Sequence, residues 1–392
     1  MEIYLVGGAV RDGLLGLPVN ERDWVVVGAT AEQMRAQGYR QVGKDFPVFL
    51  HPESGEEYAL ARTERKTGPG YKGFEVHADV AVTLEQDLQR RDLTINAMAR
   101  DKDGNIIDPY HGQEDLQQGL LRHVSGAFAE DPVRILRAAR FAAYLARWGF
   151  SIAHDTNKLM REMVSNGEID QLVPERVWGE LEKALKTDRP SRFFKALHGC
   201  GALAKLFPEI DVLYTSDATY RDAIHGDAGK IYAMRVLEQT AIISTDPKVR
   251  FAALAMNLGS DNEKTVNTVE QICGRFRLPN DFRQLSVLAA RYHLSIEQAA
   301  TLSAGELLQL IEDCDAIRRG DRFADLLLAC EGDCRARNNI QEYDPGVLLF
   351  RALDAINQVD ASRLAAKGLK GNEIAEELSK LRIKAIQAEE VS

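Results

Sequence analysis

The chain of 392 residues reads as an α/β head followed by a long all-helical remainder. Two observations carry this reading. Up to about residue 125, short apolar β-branched runs end at glycine, as buried strands do; beyond about residue 127, apolar residues recur at spacings of three and four. In order, 3–6 and 24–27 read as strands, and 30–37 as a helix with Thr30 as its N-cap and Gly38 as its stop. Segments 47–51 and 57–62 flank the turn-rich Pro52-Glu53-Ser54-Gly55, which predicts a hairpin. Likewise 93–99 and 105–107 flank Asp103-Gly104, a turn signal between two strands. Helices are expected over 132–148, 157–164, 175–185 and 191–197, with breaks at Trp148-Gly149, Val173-Pro174, Arg189-Pro190, Phe207-Pro208 and Leu278-Pro279. No fixed-period repeat is evident.

Composition narrows the function classes. Hydrophobic residues at 45% and charged residues at 28% exclude a disordered or collagenous chain. At roughly 100–200 residues per domain, the length leaves room for two to four domains. The net charge of −10 argues against a general polyanion binder, so any nucleic-acid site must be local. No apolar stretch approaches the roughly 20 residues that span a bilayer, and Met1-Glu2-Ile3-Tyr4-Leu5-Val6 has no basic segment ahead of an apolar core. No membrane is implied, and a cytoplasmic location is expected. Five cysteines, an odd number without a CxxC pair, fit a reducing compartment. Cys330 and Cys334 stand four apart and can share a helix face, but with no second pair or nearby histidine they read as small core residues rather than metal ligands.

The most informative stretch is Val6-Gly7-Gly8-Ala9-Val10-Arg11, followed by Glu21-Arg22-Asp23-Trp24. A strand running into two glycines lets the backbone approach a ligand, and N–H groups at the mouth of the following helix can cradle a phosphate beside Arg11. Glu21 and Asp23, two apart on an extended segment, point to one face and can hold divalent metal, the arrangement two-metal phosphoryl transfer needs. Taken singly, the glycines also fit a tight turn and the acids a solvated strand edge. Together they resemble the bacterial class II CCA-adding enzymes, tRNA nucleotidyltransferases of a polymerase-β-like superfamily that includes the bacterial poly(A) polymerases. The resemblance covers essentially the head and the first helices after it.

That resemblance implies an α/β nucleotidyltransferase head with a small mixed β-sheet, followed by all-α neck, body and tail domains. The expected spans are 1–125 for the catalytic head, 126–190 for a neck that recognises the base, 191–290 for the body and 291–392 for a tRNA-binding tail. By it, Gly8 and Arg11 bind the triphosphate, and Glu21 and Asp23 bind catalytic Mg²⁺. Glu21 stands where aspartate is common. Glu57 is a candidate for the third carboxylate usual on a neighbouring strand, and also fits a surface strand charge. Arg90-Arg91-Asp92-Leu93-Thr94-Ile95-Asn96-Ala97 is similar to the second motif of the family. It implies that Arg91 contacts the nucleotide at sugar or phosphate, with Asp92 and Asn96 on the ribose side.

A third block, Glu130-Asp131-Pro132-Val133-Arg134, opens a helix with acids at the cap and Pro at the first turn. Asp131, Arg134, Arg137 and Arg140 recur every three residues, and three arginines without interleaved acids lack the alternating signs of a salt-bridged surface. The block resembles the EDxxR motif, with which these enzymes select a base without a nucleic-acid template. Asp131 and Arg134 would then make Watson–Crick-like hydrogen bonds to CTP and afterwards ATP, while Arg137 and Arg140 bind the nucleotide and order the site. Pro174-Glu175-Arg176-Val177-Trp178-Gly179-Glu180-Leu181 resembles the PERxxxEL stretch that braces this helix, and reads as structural.

Two softer features accompany these motifs. Segment 62–73 is a basic, glycine-rich loop that suits a primer contact or an ordinary solvated loop, and Lys367, Lys370, Lys380, Arg382 and Lys384 suit tRNA backbone contacts or a plain surface helix. Some relatives carry an HD phosphohydrolase site in the helical half. Here Met256-Asn257 stands where its His-Asp pair would be, so that activity is expected to be absent; His154-Asp155 reads as a helix start with an Asp N-cap, and His225 as an exposed loop residue. The implied activity is template-independent addition of CCA to the tRNA 3' end from CTP and ATP. Poly(A) or A-only addition, and a catalytically silent tRNA-binding protein, are the alternatives; oligomeric state is not legible.

Overall fold

A computed structural model of the protein describes residues 1–42, 48–66, 74–215, 232–338, 343–360 and 372–390. The chain forms two units, Met1–Ala184 with Arg192–Leu206, and Leu185–Ser191 with Phe207–Ser392.

The first unit is built on two alternating apolar strands, β1 (Glu2–Val6) and β2 (Asp23–Val27), which pair antiparallel from Glu2↔Val27 to Val6↔Asp23. Between them lies α1 (Gly8–Leu14), and after them α2 (Ala31–Ala36). α2 begins at a capping box in which Thr30 Oγ1 accepts from the Gln33 N–H and the Gln33 side chain accepts from the Thr30 N–H. β3 (Arg40–Val42), β4 (Val48–Leu50) and β5 (Glu57–Leu60) follow; β4 and β5 make the expected hairpin, whose Pro47 lies outside the described residues. β5 runs parallel to β2, with every other neighbour antiparallel, so the seven-stranded sheet, completed by β8 (Ala99–Arg100) and β9 (Ile106–Ile107), is mixed, in the order β3-β4-β5-β2-β1-β8-β9. A separate ribbon pairs β6 (Thr63–Lys66), the start of the stretch 62–73 expected to be a loop, with β7 (Phe74–His77) just beyond it; residues 67–73 lie outside the described residues.

Strand alternation gives the sheet two apolar faces. Val6 and Val25 pack with Leu88, Ala97 and Ala99 on one side. On the other, Val26, Tyr58 and Leu60 pack with Met34 and Phe49. α3 (Leu84–Gln89) lies on the first face.

The 93–99 strand is a correction. Leu93 makes only an isolated bridge to His123, Thr94–Asn96 is a 3-10 turn, and the strand is reduced to β8 (Ala99–Arg100), pairing with β9 (Ile106–Ile107). Local side chains outcompete the ladder: Asp92 Oδ1 accepts from the Leu93 N–H at 2.8 Å and Thr94 donates to Asp115 at 2.6 Å.

α4 (Gly112–Gln118) falls in the span expected for the head, α5 (Val133–Tyr144), α6 (His154–Ser165) and α7 (Pro174–Leu185) in that for the neck, and α8 (Ser191–Cys200) at the start of that for the body. They are not all there is: β11 (Ser151–Ile152), inside the stretch expected to be wholly helical, pairs parallel with β10 (Leu120–Leu121) at the end of the expected head. The N-cap of α6 is Ala153, so Asp155 sits in its first turn, facing the positive end of the helix rather than capping it.

In the second unit, helices including Tyr232–Ile243, Pro247–Ala255, Asn280–Glu297, Ala304–Asp313 and Gly320–Asn338 bury Val236, Leu285, Ile311, Leu326 and Leu349 in one core. Cys314 and Cys330 are part of it, burial pushing the Cys314 thiol up to about 12, and among the described residues no group of three His, Cys, Asp or Glu side chains is placed to hold a metal. Met256 is buried, and Asn257 donates to the Ala253 carbonyl at 3.2 Å. At the C-terminal end Lys380 pairs with Glu377 and Arg382 with Glu312, whereas Lys367, Lys370 and His225 lie outside the described residues.

Arg250 is the largest fully buried side chain here. Its guanidinium donates to the carbonyls of Leu185 (2.5 Å), Thr187 (2.7 Å), Ser244 (2.7 Å) and Ala241 (3.0 Å), closing two helix ends that lack intrahelical donors. Arg250→Met is expected to cost about 3 kcal/mol, since it strands several carbonyls at once; a urea unfolding midpoint unchanged from wild type would contradict this.

Candidate active site

The register Val6↔Asp23 decides where the chemistry sits. β1 ends at Val6, so the Gly7-Gly8 turn lies beside the first residue of β2, Asp23. Gly7 has φ 70° and ψ −131°, a conformation that requires glycine, and a Cβ there would stand 2.9 Å from Arg91 Nη1 and push that guanidinium aside. Its carbonyl accepts from Val10 and Arg11 N–H, starting α1 with Gly8 as first helical residue, where backbone N–H groups have no intrahelical acceptor.

Asp23 is also in register with Glu57 of β5, so the third-carboxylate candidate is one strand away from the expected pair. Glu21 precedes Asp23 on the same extended approach to β2, and neither carboxylate has an ion pair or hydrogen bond within the described residues. Crowding by the surrounding protein pushes the Asp23 carboxyl up; Arg91 pulls it down and Glu21's like charge adds to the rise. Two unpaired carboxylates that repel each other, offering only oxygen donors, fit a hard divalent cation such as Mg²⁺.

Arg11 is only 5% exposed. It donates to Asn96 Oδ1 at 2.6 Å and to both oxygens of Asp12, and its guanidinium lies 4.9 Å from the Phe141 ring centroid. The same ring has Arg140 at 4.3 Å and Arg137 at 5.9 Å, so three cations from α1 and α5 gather around one aromatic ring.

Asn96 in turn donates to Asp92 Oδ1 at 3.1 Å, and Asp92 Oδ2 takes Arg137 Nε at 2.7 Å. A continuous chain, Arg137–Asp92–Asn96–Arg11, therefore ties α5, the helix expected to read the base, to α1. Asp92 is buried among its protein partners. Burial raises its carboxyl, but the Arg137 charge and the hydrogen bonds from Asn96, Arg137 and Leu93 overcome it and bring it down to about 2.

The other arginines expected at the site are also held by protein. Arg134 donates to the carbonyls of Ala127 (2.8 Å) and Arg90 (2.6 Å). Arg140 pairs with Glu180 at 2.5 Å. Asp131 and Arg134 do not pair with each other through their side chains; Asp131 takes Arg176 across both oxygens at 3.1 and 2.7 Å and caps α5 by accepting from Val133 N–H at 3.1 Å. Arg176 and Glu180 belong to α7, the PERxxxEL stretch, so that stretch braces α5 through two ion pairs with residues of the expected site.

The head family described as "Poly A polymerase head domain" matches residues 3–122, and "Probable RNA and SrmB- binding site of polymerase A" matches 149–213. The chain is 54% identical to a multifunctional CCA protein of Nitrosococcus oceani, over 99% of this chain and 98% of that one. It is 52% identical to another from Thioalkalivibrio sulfidiphilus, over the same shares. Among solved structures, the Bacillus stearothermophilus CCA-adding enzyme in complex with CTP superposes with a TM-score of 0.69 at 23% identity, covering 99% of this chain and 89% of that one. The Thermotoga maritima CCA-adding enzyme in complex with tRNA gives 0.62 at 22% identity, covering 98% and 87%.

The depressed Asp92 carboxyl makes a testable stability term. Because its folded pKa lies near 2 against an ordinary 3.8, its contribution is present above about pH 4 and is lost as pH falls toward 2. The expected size is about 2 kcal/mol. Between pH 5 and 2.5 the unfolding free energy of wild type should fall by roughly 1.5 kcal/mol more than that of Asp92→Asn, read by denaturant unfolding; parallel curves would contradict it.

Proposed function

We infer, because the chain belongs to the family of the multifunctional CCA proteins, that it is a CCA-adding tRNA nucleotidyltransferase. It transfers CMP, CMP and AMP from CTP and ATP to the tRNA 3' end without a nucleic-acid template, releasing pyrophosphate at each addition. The observation that carries the assignment of residues is the Val6↔Asp23 register, which sets a glycine cradle against an unpaired acid pair in the same unit as α5.

In this reading the Gly8 backbone and Arg91 hold the triphosphate; Arg11, expected there too, is buried and bonded to Asn96 and Asp12, and serves instead to fix the start of α1. Glu21 and Asp23 hold Mg²⁺, which when bound lowers the pKa of the attacking 3'-hydroxyl and offsets charge on the departing pyrophosphate. Asp131 accepts from the exocyclic amine of cytosine or adenine, and Arg134, its fork held by two carbonyls, donates to the ring acceptor beside it. Guanine and uracil present an acceptor in place of that amine, so they oppose the carboxylate and leave polar groups unpaired. Arg137 and Arg140 order this pair and the nucleotide beside it. No described helix is long and apolar enough to cross a membrane, and tRNA, CTP and ATP as substrates make the cytoplasm its place of work.

Purified protein given tRNA without its CCA end and labelled nucleotides should incorporate C, and then A once C is present. Incorporation of ATP alone would instead indicate an A-only or poly(A) enzyme, and none at all a silent binding protein. Asp23→Ala should lose every addition, by at least about a thousandfold. Asp131→Ala and Arg134→Ala should keep part of the activity while discrimination against UTP and GTP falls roughly ten- to a hundredfold. Unchanged discrimination in both variants would remove α5 as the base reader.

A further inference from the structure

We propose that Asp87, to which the motifs assign no role, is the positioning residue that sets the phosphate-side and base-side arginines of the nucleotide site in register with one another. The proposal rests on the CCA-adding reading above for the identity of the nucleotide, and on the structure for the rest.

Asp87 lies in the first turn of α3, after the Thr83 N-cap, and is fully buried. A carboxylate in that position must be answered by several donors to remain charged. Arg90 donates to Oδ1 through Nε at 3.1 Å and Nη2 at 2.8 Å, Arg91 Nη2 donates to Oδ2 at 3.2 Å, and the Arg62 N–H donates to Oδ1 at 3.3 Å. One acid thus gathers both adjacent arginines, which would otherwise repel each other.

Each arginine then carries the constraint outward. Arg91's ion pair is with Asp87; its Nη1 faces the Asn96 carbonyl at 3.4 Å and lies against Gly7, and its charge is felt at Asp23. Asp87 therefore determines where the guanidinium meets the glycine cradle. Arg90 acts through its backbone: with its side chain drawn inward to Asp87, its carbonyl accepts from Arg134 Nη2 at 2.6 Å. The base-reading arginine is thereby indexed to the same buried carboxylate as the phosphate-side one. An asparagine of the same shape would offer a single acceptor oxygen and turn an N–H₂ group toward a guanidinium.

The test is a double-mutant cycle read as affinity for CTP and for ATP in the absence of tRNA, by calorimetry on the full chain. Asp87→Asn and Arg91→Ala are each expected to weaken both nucleotides roughly ten- to a hundredfold, the scale of a lost charge-assisted contact. The double variant should bind more weakly than Arg91→Ala, but by less than the Asp87→Asn effect measured alone, because part of that effect runs through Arg91 and the rest through Arg90 and Arg134. Independent effects that multiply, or wild-type affinity in Asp87→Asn, overturn the proposal. Should Asp87→Asn fail to fold, Arg91→Lys decides: it keeps the charge but lacks the fork that Asp87 orients, so affinity should fall nearly as far as in Arg91→Ala, and retained affinity overturns the proposal. Labelled CMP incorporation by wild type is run alongside. A wild type that binds CTP but adds nothing overturns the CCA-adding reading alone, and one that binds neither nucleotide overturns both.

Discussion

The antiparallel pairing of β1 with β2 is the constraint on which the remainder of the site depends. Five residue pairs place the end of one strand against the beginning of the other, so a glycine turn that follows Val6 and an acid that opens at Asp23 become neighbours although sixteen positions separate them in sequence. A one-residue slip would turn Asp23 to the opposite face of the sheet and bring Val25 out of the core it shares with Leu88 and Ala97. Burial of that face thus holds the register, and the register holds the chemistry.

Around this frame the protein solves the problem of collecting many guanidiniums in a chain of net charge −10. It does so with buried or half-buried acids that each take one or two arginines: Asp87, Asp92, Asp131 and Glu180. Such pairs add little net stability by comparison with apolar packing, because desolvation offsets much of the attraction. Their effect is geometric. Every arginine expected to meet the nucleotide arrives with at least one orientation already settled by protein, which reduces the ordering cost when a ligand binds.

Much of this was legible in the sequence, for identifiable reasons. The strand ends at glycine, the Thr30 capping box with its stop at Gly38, and the acid pair two residues apart are local signals, and local signals survive into the structure. The 93–99 stretch misled because its β-branched and apolar residues favour a strand, while Asp92 and Thr94 bond to neighbours that sequence order does not reveal. Arg176 and Glu180 stood in a recognised stretch, but that their partners would be Asp131 and Arg140 depends on how α7 packs against α5. Asp87 had no signal of its own: an acid four residues before an arginine is commonplace on a solvated helix, and only its burial distinguishes it.

If Asp131 holds the base-reading role proposed for it, its bond pattern limits what it can read. A carboxylate offers about four lone-pair positions. Arg176 fills one on each oxygen and the Val133 N–H a further one on Oδ1, which leaves about one vacancy, on Oδ2. The group is therefore a single-slot detector: it has room for one amino hydrogen and for nothing that needs two. A reader of that kind registers what cytosine and adenine share and is blind to the differences between them, so the order in which they are added must be kept by some other part of the protein and its tRNA.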